Sequence, residues 1–438
     1  MTVLIICVFI LLFGLDQYVR GRKGRGAFVF FFFLTGGFHF LSPAWCPVKY
    51  TDFAVAYLVV VALFNDLKGN HAFFKPQIKI YKVASVIGLY FTLEFVRTVV
   101  LNEEIFSFAL AGYRTYILFF SFWLVQELRK WEIMRLLKLI TTITIVSTVL
   151  FDLQPLLHIK ILQHAVMGGT RLRNIPYLAY FFMLLATIKM DFSRWKSVAL
   201  VLFFWVAIVL TKHRAVMMAY VFCVGLYYLM TKKGTRFFQY GIIGLIFLLF
   251  AGETIMTRFD KESGDSSTLD DIKAVMNLDY KKAVNNEFEN ESGTLSFRVL
   301  LLTERVDYMI NHPQYSVFGL GTRHEDSPKT QKQFNFIIGT NNHRGGIGQI
   351  SSGDLAWATP LMRFGFLGIA LLLYLSRVII IYFNRNRNVS DVTMAAYLFY
   401  LFLLLISFKN DHLYGNMQLF FIYLLIEYER YAVSLANK

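Results

Sequence analysis

The chain has 438 residues, 56% of them hydrophobic and only 17% charged, with 45 Phe and 24 Tyr. Soluble domains carry about 25% charged residues, so this composition excludes a water-soluble fold, and 8 Pro with 28 Gly exclude a collagen-like or disordered chain. The net charge of +15 is read as membrane topology rather than nucleic-acid binding, because Lys and Arg gather on cytoplasmic loops; the scattered Cys7, Cys46 and Cys223 form no disulfide framework and no metal spacing.

A hydrocarbon core about 30 Å thick needs roughly 20 apolar residues in a helix. The candidate spans, in chain order, are 2–15, 27–42, 50–64, 83–101, 105–125, 136–151, 174–190, 197–211, 214–231, 237–252, 358–382, 392–408 and 415–427. The fold class is therefore an all-α polytopic membrane protein of about 12–13 transmembrane helices. The first span lacks a basic segment before it and is followed by Arg20, Arg22, Lys23 and Arg25, which marks it as a retained helix with its amino terminus outside. Alternation then puts Lys68, Lys75, Lys79 and Lys82, Arg129, Lys130 and Arg135, and Arg385 and Arg387 on the cytoplasmic side. The short loops of the other side are poor in bases, as the charge bias requires.

Three units follow: helices over 1–252 (about ten), a cap or lid over 253–357, and helices over 358–438 (about three). The cap is hydrophilic, net negative and too long for a linker. Its first part, Glu262 to Glu291, is turn-rich. Its second part opens with Arg298-Val299-Leu300-Leu301-Leu302, where apolar residues recur at helical spacing until His312-Pro313 ends the run.

Arg171, Arg173, Arg214 and Arg298 all fall on the outer side, against the prevailing bias. The planar guanidinium fork matches phosphate oxygens, so together they suggest an anionic lipid-linked ligand; anchoring at headgroup level is the competing reading for each. Within the spans, Glu94 and Arg97 share a helix face and are expected to neutralise each other. Arg114 has no acid near it in sequence, and Arg363 opens the 358–382 span; charges at such depth are costly and point to function. The cap holds His312, His324, His343, Glu304, Asp307, Glu325, Asp326 and Asp354, each a candidate general base and none with metal-ligand spacing. Asp354 follows Ser351-Ser352-Gly353 at the return to the membrane, where it is a candidate general base or simply a helix cap. Gly319-Leu320-Gly321 is a turn, and a lone G-x-G carries no nucleotide signal.

The run R-V-L-L-L-T-E-R-V-D-Y-M-I-N-H-P-Q-Y-S-V-F-G-L-G, Arg298 to Gly321, resembles the external-loop signature of the O-antigen ligase and O-antigen polymerase superfamily. Asp354 to Gly368, D-L-A-W-A-T-P-L-M-R-F-G-F-L-G, is similar to the next motif of that superfamily. Leu210-Thr211-Lys212-His213-Arg214-Ala215 resembles its Ser-Arg-Gly or Ser-Arg-Ala span start, and Arg171 and Arg173 fall where members carry an external Arg. Two positions depart from the pattern: Asp354 stands where ligases place His, and His213 replaces the Ser. The first departure favours a polymerase over a ligase.

The resemblance implies a metal-independent glycosyltransferase of the bacterial inner membrane with its large loop periplasmic. The implied partners are an undecaprenyl-diphosphate-linked glycan donor, a second as acceptor, the bilayer and a chain-length regulator, with no cofactor and no nucleic acid. Arg171, Arg173, Arg214 and Arg298 would neutralise the diphosphate leaving group, and Asp354, with His343 in reserve, would activate the acceptor hydroxyl. The alternatives are a ligase transferring the glycan to lipid A-core, a lipid-linked oligosaccharide flippase or transporter, and a non-catalytic scaffold. A transporter would show pseudo-symmetric halves, and no internal repeat is visible.

Overall fold

The computed structural model describes residues 2–42, 45–46, 48–157, 167–168, 171–172, 175–176, 178–191, 193–211, 214–231, 295–339, 347–352, 355–408 and 412–436. The expected span 237–252 and the turn-rich first part of the cap lie outside them. In chain order the helices are α1 (Thr2–Val19), α2 (Lys23–Leu34), α3 (Tyr50–Leu67), α4 (Lys79–Val100), α5 (Phe106–Tyr113), α6 (Phe122–Gln126), α7 (Lys130–Leu157), α8 (Ala179–Ile188), α9 (Trp195–Thr211) and α10 (Arg214–Thr231). There follow α11 (Leu295–Asn311), α12 (Pro313–Ser316), α13 (Pro328–Gln333), α14 (Ala358–Asn386), α15 (Asp391–Ile406) and α16 (Asn416–Ala436). The described sheet is a two-residue antiparallel pair, β1 (Met167–Gly168) with β2 (Arg171–Leu172).

The fold is the expected all-α polytopic one. By length and apolarity, 5 described helices suffice to cross a membrane, namely α1, α3, α4, α7 and α14, or 6 when the bent pair Phe106–Tyr113 and Tyr116–Gln126 counts as one span. Other described candidates fall on shorter apolar helices, namely α8, α9, α10 and α15, and 415–427 falls on the 21-residue α16, which is not among the helices that pass that test. α2 ends at Leu34, well short of the expected 42, because Gly36, Gly37, Phe38 and His39 all take positive φ. The expected span 105–125 is bent by 45° between Tyr113 and Tyr116.

α16 is the centre of the bundle. Its run Phe420 to Ile426 is buried on every side, as a helix apolar all round must be, and it packs against α2, α6, α7 and α15. The periphery is apolar too: Phe9, Leu12 and Phe13 of α1, Leu89 and Leu93 of α4, and Met218 and Phe222 of α10 stand exposed, a belt suited to lipid rather than water.

The helix ends sort into two poles. At one, the Lys23–Glu127 ion pair, the Gly24 amide on Glu132 Oε1 (2.8 Å) and Arg430 on Gln77 (3.0 Å) join the basic connections. The cap sits at the other, where α4 ends and α3, α5 and α14 begin. The sequence grouped the same ends by charge.

Candidate functional site

The cap is locked to the bundle through a break in α14. Gly365 has φ 63° and ψ −166° inside that helix, a region open essentially to Gly alone. The break interrupts the i to i−4 ladder and frees carbonyls that need donors. The cap supplies them: Leu320 and Gly321 amides donate to the Met362 and Arg363 carbonyls (both 2.9 Å), while the Leu367 amide donates to Val317 (3.1 Å). Tyr90 of α4 donates to the Phe364 carbonyl at 2.9 Å. A Cβ on Gly319 would lie 2.4 Å from the Arg363 carbonyl oxygen. The G-x-G turn is thus a backbone clamp on the re-entering helix.

A second row of bonds ties the cap to α4. Arg97 is paired with Glu94 (2.6 Å), as expected, and its Nη2 also donates to the Gly319 carbonyl (2.9 Å). The Thr322 amide donates to Thr98 Oγ1 (2.9 Å), Ser327 donates to Glu104 Oε1 (2.8 Å), and Lys329 donates to the Asn102 and Glu103 carbonyls.

Inside the cap, two of the sequence-predicted polar candidates, Glu304 and Glu325, are structural, and so is Arg305. Glu304 accepts the Ile337 and Ile338 amides (2.8 and 3.2 Å). Arg305, buried beside it, donates to the Ile338 and Gly348 carbonyls and stacks 4.4 Å from Phe336. Glu325 accepts the amides of Gln349, Ile350 and Ser351 (2.5, 2.8 and 3.0 Å). These bonds fix the chain on both sides of 340–346; His343 itself lies outside the described residues. Asp354 does too. Its flanks are held by the Ser352 amide on Thr359 Oγ1 (2.9 Å), the Ala356 amide on the Ser407 carbonyl (3.0 Å) and Trp357 Nε1 on Ser407 Oγ (2.9 Å).

The four arginines fall into two groups. Arg298 is half-buried near the start of α11, which packs on α14, the helix that the Asp354 segment enters. Arg171 lies on β2, which packs on α9, and Arg214 opens α10, which also touches α9. Arg173 lies outside the described residues, as do the side chains of Arg171 and Arg214. α15 packs against both α10 and α14 and so joins the two groups.

Sequence reading missed a cluster at the seam of cap and bundle. Arg114, at the bend after α5, pairs with Asp52 of α3 at 2.9 Å; the acid that it lacks locally comes from 62 residues away. Buried Arg363 donates to the Gly112 carbonyl (3.2 Å) and lies 5.7 Å over the Tyr116 ring. His324 of the cap reaches the same place. Burial first, then Arg363, holds its imidazole below the usual range, with Lys49 and Arg114 adding to the effect and Asp326 opposing it. Its Nδ1 accepts the Asp326 amide at 3.2 Å. Asp152 was also missed. It is the one acid between Glu132 and Asp191, and neither of its buried oxygens has a donor among the described residues. That isolation in an apolar run was the signal available.

No curated protein matches the chain. Residues 198–373, from α9 through the cap and into α14, match the family model described as O-Antigen ligase. That stretch contains Arg214, Arg298, the clamp and the re-entry segment, and the match supports the chain's membership of the O-antigen ligase and polymerase superfamily of membrane enzymes.

Proposed function

We propose that the protein is an integral-membrane glycosyltransferase that polymerises undecaprenyl-diphosphate-linked repeat units at the periplasmic face of the inner membrane. In this reading the acceptor sugar hydroxyl attacks the anomeric carbon of the donor glycan. The bond from that carbon to the phosphate oxygen breaks, the lipid diphosphate leaves with the electron pair, and the hydroxyl proton passes to Asp354, with His343 as the reserve base. Arg171, Arg173, Arg214 and Arg298 neutralise the departing diphosphate, the part that a divalent cation plays in many soluble transferases.

The observation that carries the reading is the clamp. Leu320 and Gly321, at the end of the run that begins with Arg298, are bonded by their amides to Met362 and Arg363 of the re-entry segment. The clamp ties the end of the run that carries Arg298 to the helix that follows Asp354 in sequence, which supports a reading in which the two act together. The ligase reading shares this donor chemistry and differs in acceptor; Asp354 in place of His favours the polymerase.

The test is turnover of the full-length protein, reconstituted with a purified lipid-linked repeat unit and normalised to folded protein. Arg298→Lys keeps the charge but loses the fork, and Asp354→Asn keeps the shape but loses the base. The expected losses are about 10-fold or more for the first and about 10²–10⁴-fold for the second. Normal turnover by Arg298→Lys reduces that arginine to an anchor, and normal turnover by Asp354→Asn removes that residue from the chemistry.

A further inference from the structure

The seam cluster holds three cations whose donors are only partly used among the described residues. Lys49 is exposed at the start of α3, and its ammonium has no hydrogen-bond or ion-pair partner among the described residues. Arg114 gives one N–H of its guanidinium to Asp52; its remaining donors have no partner there. Arg363 lies beneath, buried, with its Nε unpaired among the described residues. All three are within electrostatic reach of one another and of His324, and the carboxylates of Asp52 and Asp326 reach the same place, so the cluster carries one cation in excess. An unpaired buried guanidinium N–H carries a desolvation cost, and three cations converging at the pole poor in bases run against the charge bias of the chain.

We propose that Lys49, Arg114 and Arg363 form a second anion site, which holds the diphosphate of the acceptor lipid-linked glycan. This rests on the polymerase reading, in which both substrates carry a lipid diphosphate and one site cannot serve both. Placement fits. α14 carries Arg363 and also packs against α11, which bears Arg298, so one helix links the donor group to the seam. The bend of α5 at Tyr113 to Tyr116 sets Arg114 at that break, and the cap brings His324 and Asp326 within electrostatic reach of the cluster. A monoanionic phospholipid headgroup shares the chemistry; the guanidinium fork of Arg114, held by Asp52, favours the diphosphate.

The test uses the full-length protein in phosphatidylcholine nanodiscs, titrated with geranylgeranyl diphosphate. The wild type is expected to bind two equivalents. Lys49→Gln, an exposed change that leaves the fold intact, is expected to weaken one of them about tenfold (about 1.4 kcal/mol), and Arg298→Gln is expected to remove the other. Asp52→Asn with Arg114→Gln, which deletes the pair and keeps the local charge balance, should act like Lys49→Gln. If Lys49→Gln binds both equivalents as the wild type does, the second site is refuted while an effect of Arg298→Gln leaves the donor site standing. If Arg298→Gln alone is without effect, the donor assignment fails and the seam site stands. Nanodiscs doped with phosphatidylglycerol decide the source: abolition of the Lys49-dependent equivalent means a bulk headgroup occupies the site and overturns the acceptor assignment, whereas persistence supports it.

Discussion

Replacing Gly365 by Ala tests the clamp directly. The added Cβ would sit 2.3 Å from the Val317 carbonyl oxygen, a distance that no van der Waals contact allows. Two costs combine. The backbone at φ 63°, ψ −166° costs a non-Gly residue about 1–3 kcal/mol, and forcing the clash apart costs about 1–3 kcal/mol more. The sum, about 2–6 kcal/mol, corresponds to roughly 30-fold to 10⁴-fold in the opening equilibrium of the cap against α14. Hydrogen exchange at the Leu320, Gly321 and Leu367 amides, whose acceptors lie across the clamp, reads that equilibrium. Gly21→Ala is the control, because Gly21 has φ +76° with nothing within 4 Å of its Cβ and sits at the opposite pole. Wild-type exchange at those three amides in a folded Gly365→Ala protein would show that the clamp does not hold the cap.

Other expectations follow from the cap. Glu325→Gln leaves one oxygen to serve three amides and should cost about 2–4 kcal/mol locally, from one or two lost bonds to a charged acceptor; exchange at Gln349, Ile350 and Ser351 should rise, and lost activity with unchanged exchange would make Glu325 a chemical group instead. Arg305→Lys keeps the charge but loses the two-pronged grip on Ile338 and Gly348, so exchange in 336–339 and 347–348 should rise while α4 and α14 keep their protection. Because His324 is held below its ordinary range, the undocked cap binds a proton that the docked cap resists. Docking should therefore be firmest above about pH 6.5, weaken as pH falls below it, and lose that dependence in His324→Gln; a His324→Gln profile identical to wild type would exclude this group.

Much of this was legible in the sequence because it depends on local pattern. Apolar run length gave α1, α3, α4, α7 and α14, and His312-Pro313 marked the end of α11, since a proline cannot continue the ladder. The pair Glu94–Arg97 was visible because three-residue spacing puts both on one face. What stayed hidden depends on contacts remote in sequence. Asp52 answers Arg114 across two helices, and Gly319 and Gly321 matter for the kink at Gly365, which a hydropathy pattern reads as uninterrupted helix. Glu325 looked like a candidate base because nothing local reveals that three amides from 349–351 converge on it. The bend at Tyr113 to Tyr116 was equally silent, as apolar residues continue through it.

The central claim is bond formation between lipid-linked repeat units, and the most direct measurement is the product of the purified, reconstituted protein supplied with a single lipid-linked repeat unit, with and without lipid A-core. A ladder of glycans, each one repeat longer and still attached to the lipid diphosphate, formed without lipid A-core, is the predicted result. Transfer to lipid A-core without elongation, or movement of the lipid-linked unit across the bilayer with no new glycosidic bond, would contradict it.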